Sequence, residues 1–278
     1  MLRRNLQNAD PSLNKLPRAN KDLGQHFLKD KTVIEKITNN FAEEADVILE
    51  VGPGPAVLTR ELANHKKPLA VVEKDERMEE YLLDFVSREN IFFMDALKLN
   101  EKELLKNLDW ENRRIWLVSN LPYNVASPLI VNFLSWTSID QMTLMVQKEV
   151  GLKIIGRSAK NKDEMSSLHA LCSAFFEVSE LCKVAPGAFL PPPKVDSLVV
   201  SFKRRLDPEI TLEELPKFEK FLRRLFQFRR KQVYNVLKSH YQADVLDKAF
   251  TDCDIPRTAR AETFNRATIQ LLYSCLNS

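Results

Sequence analysis

The chain of 278 residues is 44% hydrophobic and 28% charged, which is typical of a folded globular protein. This length allows one large domain, or a large domain with a small one. No apolar stretch approaches membrane-spanning length, and the basic N-terminus lacks the apolar segment of a secretory signal. These features disfavour a membrane protein, and we expect a cytoplasmic one.

The net charge of +3 is distributed unevenly. Residues 217–240 hold eight Lys or Arg against one Glu, and residues 1–21 hold five against one Asp. The rest of the chain is mildly acidic, so the two basic patches predict a polyanionic partner that is met at defined places. For either patch alone, a solvated surface is an equally good interpretation.

The cysteines give no indication of a metal or disulfide site. The four positions, Cys172, Cys182, Cys253 and Cys275, have neither metal-ligand nor disulfide-like spacing. We therefore expect reduced thiols, mostly in the core, and no bound metal.

Apolar runs alternate with helix-compatible segments through the first two-thirds of the chain. After residues 1–20, which we expect to form a mobile arm, five apolar runs predict buried strands at 47–51, 69–72, 91–94, 115–118 and 142–146. This alternation predicts an α/β fold with a doubly wound, parallel sheet. Segments 178–184 and 197–202 flank two proline-containing stretches, and we expect them to form a closing antiparallel hairpin.

After Arg205 the pattern changes to helices alone. Apolar residues recur at helical spacing between 218 and 226, and a second stripe begins at Val233. Residues 264–276 favour a last helix. The basic side chains near the first stripe fall elsewhere on the helical wheel: Lys217, Lys220, Arg223 and Arg224. We place a domain boundary near residue 206, which gives domains at 21–205 and 206–278.

A turn with two glycines, Gly52-Pro53-Gly54, follows the first strand and precedes a helix that begins near Val57. Glycine at both positions lets the backbone turn sharply and approach a ligand closely. The dinucleotide fingerprint needs Gly or Ala three residues after its second Gly, where this chain has Val57. The turn therefore disfavours a nicotinamide or flavin cofactor.

Acidic residues follow strands one, two and three. Glu73 ends the second strand at the interval of ~20 residues after the glycine turn that places a carboxylate on a ribose diol. Asp95 follows the third strand, where it could accept from an adenine amine. With no Lys or Arg in the turn to bind phosphate, this set fits a positively charged nucleoside cofactor such as S-adenosylmethionine. Either carboxylate alone could simply be a helix N-cap.

Residues 120–124, Asn-Leu-Pro-Tyr-Asn, follow the strand at 115–118, at the sheet edge where α/β proteins hold their ligands. A site that alkylates the exocyclic amine of a nucleobase needs acceptors for two hydrogens and a flat surface for the base. Asn120 and the Leu121 carbonyl offer the acceptors, Tyr123 offers the ring, and the proline between them stiffens the turn. Without other motifs, a plain strand-ending turn is the simpler interpretation.

Ten short motifs occur together in this order, at 24–28, 50–54, 72–75, 95–96, 120–124, 147–150, 186–200, 228–231, 254–256 and 260–262. As a set they resemble the ribosomal RNA adenine dimethyltransferases, most closely the KsgA type, which modifies small-subunit RNA. The resemblance covers nearly all of residues 21–278. It implies a Rossmann-like class I methyltransferase sheet with one antiparallel strand, followed by a small helical domain that binds RNA.

The resemblance also implies the roles of particular residues. S-adenosylmethionine would be held by His26, Leu28, Gly52, Gly54, Glu73, Asp95 and Asn120. The target adenine would be held by Asn120, Leu121 and Tyr123, with Phe189 as a second aromatic wall. From the basic charge of residues 217–231, we expect RNA phosphates to be held by Arg223, Arg224, Arg229, Arg230 and Lys231. The implied activity is dimethylation of two adjacent adenosines near the 3′ end of small-subunit ribosomal RNA, by a monomer.

Two departures from the family pattern stand out. Ala56 replaces a glycine that many members carry, and we expect the loop to tolerate the smallest possible side chain there. Residues 161–168 differ from the usual Tyr-Gly-Arg-Leu-Ser segment near the substrate face. RNA contacts or catalytic efficiency could therefore differ in this chain.

Three other functions stay open. The macrolide-resistance type of enzyme, which methylates large-subunit RNA, shares the pocket, but the proline-rich Phe189 motif and the 260–262 motif favour the small-subunit type. A non-catalytic assembly or transcription factor could use the same fold, although the intact 120–123 turn argues against lost activity. A DNA amino methyltransferase could use a similar turn, but the C-terminal match does not fit it.

Overall fold

The structure, a computed structural model, describes residues 16–20, 22–158, 164–228 and 230–277. Its strands are β1 (Phe27–Leu28), β2 (Val47–Val51), β3 (Leu69–Glu73), β4 (Ile91–Phe93), β5 (Ile115–Asn120), β6 (Ile139–Gln147), β7 (Phe176–Val184), β8 (Phe189–Leu190) and β9 (Ser197–Arg204). Its α-helices are α1 (Lys31–Asn39), α2 (Val57–Ala63), α3 (Glu79–Leu82), α4 (Glu101–Leu108), α5 (Ala126–Leu134), α6 (Lys148–Ile154), α7 (Ser167–Phe175), α8 (Leu215–Leu225), α9 (Val233–Leu237), α10 (Ala243–Asp252) and α11 (Arg266–Asn277).

Seven strands form one sheet in the order β4-β3-β2-β5-β6-β9-β7. The strands β4, β3, β2, β5 and β6 are parallel to one another, whereas β9 runs antiparallel to both β6 and β7. The predicted doubly wound sheet with one antiparallel strand and a closing hairpin is thus confirmed. The strand order reverses between β2 and β5, and this switch point is where such sheets leave a crevice for ligands.

Most predicted strands match the structure to within a few residues. β2 has the predicted bounds, while β6 begins at Ile139 instead of Met142. The extension follows from pairing, because Gln141 lies opposite Lys203 of β9 and continues the ladder beyond the apolar run. The apolar run alone therefore marks the buried part of a strand but not its end.

A second, two-stranded sheet joins the N-terminal segment to the proline-rich connection. Phe27 pairs with Leu190, and Leu28 pairs with Phe189, in antiparallel register. The sequence analysis did not predict either strand. This pairing holds the segment before α1 next to the carboxyl ends of the main sheet.

Helices α8 to α11 confirm the helical pattern at the C-terminus. The predicted apolar stripe of α8 is buried, and so are Val233 and Leu237 of α9. Helix α10 was not predicted, and α11 begins at Arg266 instead of residue 264. Helices α8 and α11 pack against α7, so buried residues of the sheet and of the helical segment belong to one hydrophobic cluster. The division into two domains near residue 206 stays a prediction.

The cysteines are only partly in the core. Cys172 is buried, whereas the other three are half-buried, and all four are free thiols. The sulfurs of Cys253 and Cys275 lie 3.6 Å apart. Among the described residues, no cluster of His, Cys, Asp or Glu is arranged to hold a metal, and no helix is long and apolar enough to cross a membrane.

Gly151 lets helix α6 lie directly on strand β9. A Cβ at this position would be 2.7 Å from Cδ2 and 2.8 Å from Cβ of Leu198, a fully buried residue. We expect Gly151→Ala to lower the free energy of unfolding by about 1–2 kcal/mol, because overpacking costs more than the roughly 1 kcal/mol that Ala gains as a helix former. Gly187→Ala is the matched control, since a Cβ there would meet nothing within 4 Å. Equal denaturation midpoints for the two variants would contradict this account of the α6–β9 contact.

Candidate active site

An open cleft of about 1170 Å³ lies at the carboxyl ends of β2, β3, β4 and β5. Its floor is formed by the turn after β2, and one wall is formed by residues 22–28. The 120–124 turn completes the lining and contacts residues 22–28, since the Asn120 amide donates to the His26 carbonyl. The structure therefore brings together, around one cleft, every residue that the sequence analysis assigned to the cofactor: His26, Leu28, Gly52, Gly54, Glu73, Asp95 and Asn120.

The turn between β2 and α2 keeps a left-handed backbone at three positions. Gly52 has φ +70° and Gly54 has φ +55°, and a Cβ on Gly52 would meet nothing within 4 Å, so the cleft side of this turn is open to a ligand. Ala56 takes the same conformation with φ 59°, which costs an L-residue roughly 1–2 kcal/mol. The turn thus retains the shape expected with a glycine at 56, and α2 begins at Val57 as predicted.

Glu73 is held by three backbone N–H groups. The N–H of Gly54 donates to Oε2 at 2.9 Å, and the N–H groups of Lys74 and Asp75 each donate to Oε1 at 2.8 Å. Burial raises the pKa of Glu73, and these three hydrogen bonds oppose that rise by favouring the ionised form. Because a carboxylate has about four lone-pair sites, Glu73 can still accept from a hydroxyl in the cleft.

Asp95 is a cap residue that also lines the cleft, and its contact with an adenine amine stays a prediction. It caps a short 3₁₀ turn by accepting from the N–H of Leu97 at 3.0 Å, and it also lines the cleft. Its other oxygen accepts from Nζ of Lys74 at 2.9 Å. The pKa of Asp95 is lowered, first by the Lys74 hydrogen bond and then by the Leu97 N–H. Lys74 was not predicted as a site residue, and its ammonium group is neutralised by this pair.

Glu50 corrects the expectation that an acidic residue follows the first strand. It lies inside β2, is only 1% exposed and borders the floor of the cleft. Burial raises its pKa to about 8, although Oγ1 of Thr59 donates to its Oε2 at 2.7 Å. Glu50 is therefore protonated at neutral pH, whereas the three backbone N–H groups on Glu73 favour its ionised form.

The 120–124 turn is fixed by contacts from distant parts of the chain. Nδ2 of Asn120 donates to the His26 carbonyl at 3.0 Å, which leaves the amide oxygen as an acceptor. The hydroxyl groups of Tyr123 and Ser197 are hydrogen-bonded at 2.6 Å, and the N–H of Leu121 donates to the Met145 carbonyl at 3.0 Å. Ser197 was missed because its partner is 74 residues away and no local pattern marks it.

An aromatic pair occupies the base side of the cleft. The rings of His26 and Tyr123 are stacked, with centroids 5.9 Å apart and planes at 23°. Nδ1 of His26 is hydrogen-bonded to the Pro191 carbonyl at 2.8 Å. Phe189 does not line the cleft; it is 1% exposed and packs in the hydrophobic cluster on the α1 side of the sheet. Its role as a second wall stays a prediction, and in this structure His26 faces Tyr123 instead.

The predicted RNA-binding residues lie on the C-terminal helices. Arg223 is on the exposed face of α8, where it forms an ion pair with Glu219, and Arg224 is half-buried at the end of the same helix. Arg230 and Lys231 are exposed in the connection to α9, with Nζ of Lys231 4.5 Å from the centroid of the Phe228 ring. Arg229 lies outside the described residues, as do residues 1–15 of the predicted arm and 161–163 of the divergent segment.

Comparisons with known proteins agree with this geometry. Residues 17–277 match the family described as ribosomal RNA adenine dimethylase. A protein of Clostridium botulinum strain Okra named ribosomal RNA small subunit methyltransferase A is 34% identical over 263 residues, with 92% of this chain and 94% of that protein covered. A Staphylococcus aureus protein of the same name is 32% identical, with 91% and 88% covered.

Solved structures share the fold. A dimethyladenosine transferase from Plasmodium falciparum superposes with a TM-score of 0.72 at 22% identity, covering 89% of this chain and 96% of that one. The 23S rRNA methyltransferase ErmE has a TM-score of 0.68 at 24% identity, covering 91% and 100%. The fold and the cleft are those of a Rossmann-like methyltransferase. Within that class, the chain belongs to the ribosomal RNA adenine dimethylase family.

The buried Glu50 carboxyl makes stability depend on pH. Between its ordinary pKa of 4.5 and its folded value of about 8, the carboxyl is ionised in the unfolded chain but protonated in the folded one. Stability is therefore lost as pH rises through this window, by up to about 1.4 kcal/mol per pH unit from this group. We expect Glu50→Gln to flatten the decline in the free energy of unfolding, as measured by denaturant titration from pH 5 to 8. Parallel curves for the variant and the unaltered chain would show that Glu50 does not titrate as described.

Proposed function

We propose that this chain transfers methyl groups from S-adenosylmethionine to the exocyclic amine of adenosines in small-subunit ribosomal RNA. The observation that carries the proposal is the 120–123 turn, which lies beside Glu73 in one cleft. A donor nucleoside and a target base can thus meet at the end of β5. Relatives that match about nine-tenths of the chain carry the name of small-subunit RNA methyltransferase.

The donor fits the cofactor half of the cleft. The Glu73 carboxyl accepts from the ribose hydroxyls, and Asp95 accepts from the adenine amine of the donor. The open space beside Gly52 allows close approach, while His26 and Leu28 cover the ligand from residues 22–28. The donor supplies an electrophilic methyl on a sulfonium, and carboxylates around it favour its positive charge.

The chain's own residues position the acceptor. The Asn120 side-chain oxygen and the Leu121 carbonyl accept the two hydrogens of the amine, which aims its nitrogen at the methyl. Tyr123 stacks on the base, as expected for a nucleotide that is taken out of its helix. Holding the two partners at near-attack distance supplies most of the rate enhancement. No strong base is required, because the alkylated amine is acidic enough to lose its proton to water.

Two adjacent adenosines near the 3′ end of the RNA are the proposed targets, and each would receive two methyl groups. The pocket must then admit a monomethylated amine for the second transfer. The basic residues of α8 and of the connection to α9 bind RNA phosphates at positions outside the cleft. In this proposal, the chain acts as a monomer in the cytoplasm, and its methyl transfer takes place on the maturing small ribosomal subunit.

The alternatives are weaker on specific grounds. The large-subunit enzymes share the fold, as the ErmE comparison indicates, but the relatives at 32–34% identity carry the small-subunit name. A non-catalytic assembly factor needs no acceptor turn, whereas Asn120 and Tyr123 are each held by a distant partner here. Mapping the methylated positions in both ribosomal RNAs decides between these functions.

The first test removes the base-holding groups. We expect Tyr123→Ala and Asn120→Ala to abolish methyl transfer to unmethylated small subunits in a radiolabel assay, because the first removes the ring on which the base stacks and the second removes the amide that orients the reacting nitrogen. Tyr123→Ala should still bind S-adenosylmethionine in calorimetry. Tyr123→Phe is the matched control: it keeps the ring, loses only the hydrogen bond to Ser197, and should retain activity. Unchanged turnover in both alanine variants would refute the assignment of the turn.

The second test concerns RNA affinity. Arg230 and Lys231 are exposed beside each other, so we expect Arg230→Gln with Lys231→Gln to weaken binding to small subunits and to reduce the slope of log affinity against log salt by about one unit per lost phosphate contact. Lys102→Gln, which removes one charge from the exposed face of α4, should leave the slope unchanged. A salt response that is flat for the unaltered chain would count against phosphate binding.

A further inference from the structure

Residues 22–28, here called the strap, form one wall of the cleft. The strap ends in β1, where pairing with β8 fixes Phe27 and Leu28. His26 and Leu28 are the strap residues that the proposed function places against the donor. What fixes the rest of the strap is therefore relevant to donor binding.

Both the nitrogen and the oxygen of the Gln25 side-chain amide form hydrogen bonds that fix the strap. Its Nε2 donates to Oδ2 of Asp75 at 2.8 Å, across 50 residues of sequence. Its Oε1 accepts from the backbone N–H of Asn20 at 2.8 Å, and its own N–H donates to the Asn20 carbonyl at 3.2 Å. One side chain thus closes the turn that leads into the strap and ties it to the end of β3.

Asp75 is a rigid and charged anchor. It is only 7% exposed, and Nε of Arg77 donates to its Oδ1 at 2.8 Å. The pKa of Asp75 is lowered, first by the Arg77 hydrogen bond and in part by Gln25, so the carboxyl is ionised at neutral pH. A hydrogen bond from an amide to an ionised acceptor is stronger than one between neutral groups. Since Arg77 stays in place when Gln25 is altered, Asp75 keeps a partner.

Hydrogen bonds connect Asp75 and the strap to both halves of the site. The N–H of Asp75 donates to Glu73, whose other oxygen accepts from Gly54. One residue beyond Gln25, the carbonyl of His26 accepts from the Asn120 amide. The position of the strap is thus linked to the carboxylate proposed for the donor ribose and to the amide proposed for the target base.

We propose that Gln25 is a positioning residue for donor binding: its bond to Asp75 holds the strap against the end of β3 before the donor arrives. The inference rests on the proposed function, since it assigns Gln25 a part in that same site. Without the bond, the strap must be ordered by the donor itself, and the entropy of ordering is subtracted from the affinity. Once the donor is bound, the strap lies in the same place, so the rate at saturating donor is retained.

The test compares Gln25→Leu with the unaltered chain. Gln25→Leu loses a charge-assisted hydrogen bond at a half-exposed position. We therefore expect the dissociation constant of S-adenosylmethionine, measured by calorimetry, to rise about tenfold. The KM for the donor should rise equally, while kcat on small subunits changes less than about twofold. Gln242→Leu is the matched control, because Gln242 is exposed before α10 and its side chain makes no capping bond. This control should bind the donor like the unaltered chain.

A charge-swapped pair separates positioning from a general loss of structure. Gln25→Glu places a second carboxylate against Asp75 and should weaken donor binding further. Adding Asp75→Asn restores one donor and one acceptor with their roles reversed, and should recover part of the affinity. The inference is overturned if Gln25→Leu binds the donor as tightly as the unaltered chain, if kcat falls as much as KM rises, or if the double variant binds no better than Gln25→Glu. If the unaltered chain itself takes up no donor, the proposed function fails and the inference fails with it.

Discussion

The buried carboxylate of Glu73 is the interaction on which the site depends. A carboxylate at 5% exposure loses hydration, and it stays in the core only if the chain supplies hydrogen bonds in place of water. Three backbone N–H groups do so, one from the turn after β2 and two from the turn after β3. Each N–H points at the carboxylate only if its turn has the observed conformation. The Glu73 carboxyl therefore fixes two turns relative to each other before any ligand arrives, which is the arrangement expected of a preorganised site.

The sheet order explains why one carboxylate can have this effect. Because β2 lies between β3 and β5, the turns after all three strands meet at the switch point. The turn after β5 is then connected to the same framework through the strap, since Asn120 donates to the carbonyl of His26. Tyr123 is tied separately to Ser197 at the start of β9. Five segments that are far apart in sequence thus build one cleft: the strap and the turns after β2, β3, β4 and β5.

Sequence reasoning found the parts of this arrangement that leave a local pattern. Buried strands appear as apolar runs, and polar residues directly after such runs must gather at one sheet edge, which located Glu73, Asp95 and Asn120. Two hydrogen-bonding residues near the cleft, Gln25 and Ser197, do not follow an apolar run in this way. Gln25 and Ser197 are unremarkable polar residues whose importance comes from hydrogen bonds to Asp75 and Tyr123, across 50 and 74 residues. Only the folded chain reveals them.

Burial was the second property that the sequence did not supply. Glu50 and Glu73 are both acidic residues near strand ends, yet Glu50 receives one hydroxyl hydrogen bond and is protonated at neutral pH, whereas Glu73 receives three from the backbone. The burial of Phe189 was also not evident from the sequence. The β1–β8 pairing places this residue in the core at 1% exposure. The residue type in a motif thus determines which chemical groups are present. The burial and hydrogen bonds of those groups determine their protonation state and whether they reach the cleft.

The two halves of the cleft differ in whether they can take a ligand without rearrangement. The donor half is held by backbone hydrogen bonds, whereas on the base side the rings of His26 and Tyr123 lie 5.9 Å apart. A base between two rings needs two contact distances of about 3.5 Å each, or about 7 Å in all. An adenine that stacks on this face of Tyr123 must therefore displace the His26 ring from its bond to the Pro191 carbonyl. In the proposed function, contacts between RNA phosphates and the basic C-terminal helices contribute energy for that movement. A free nucleoside lacks those contacts, so the proposed function predicts that an adenosine is accepted within the ribosomal subunit and disfavoured in solution.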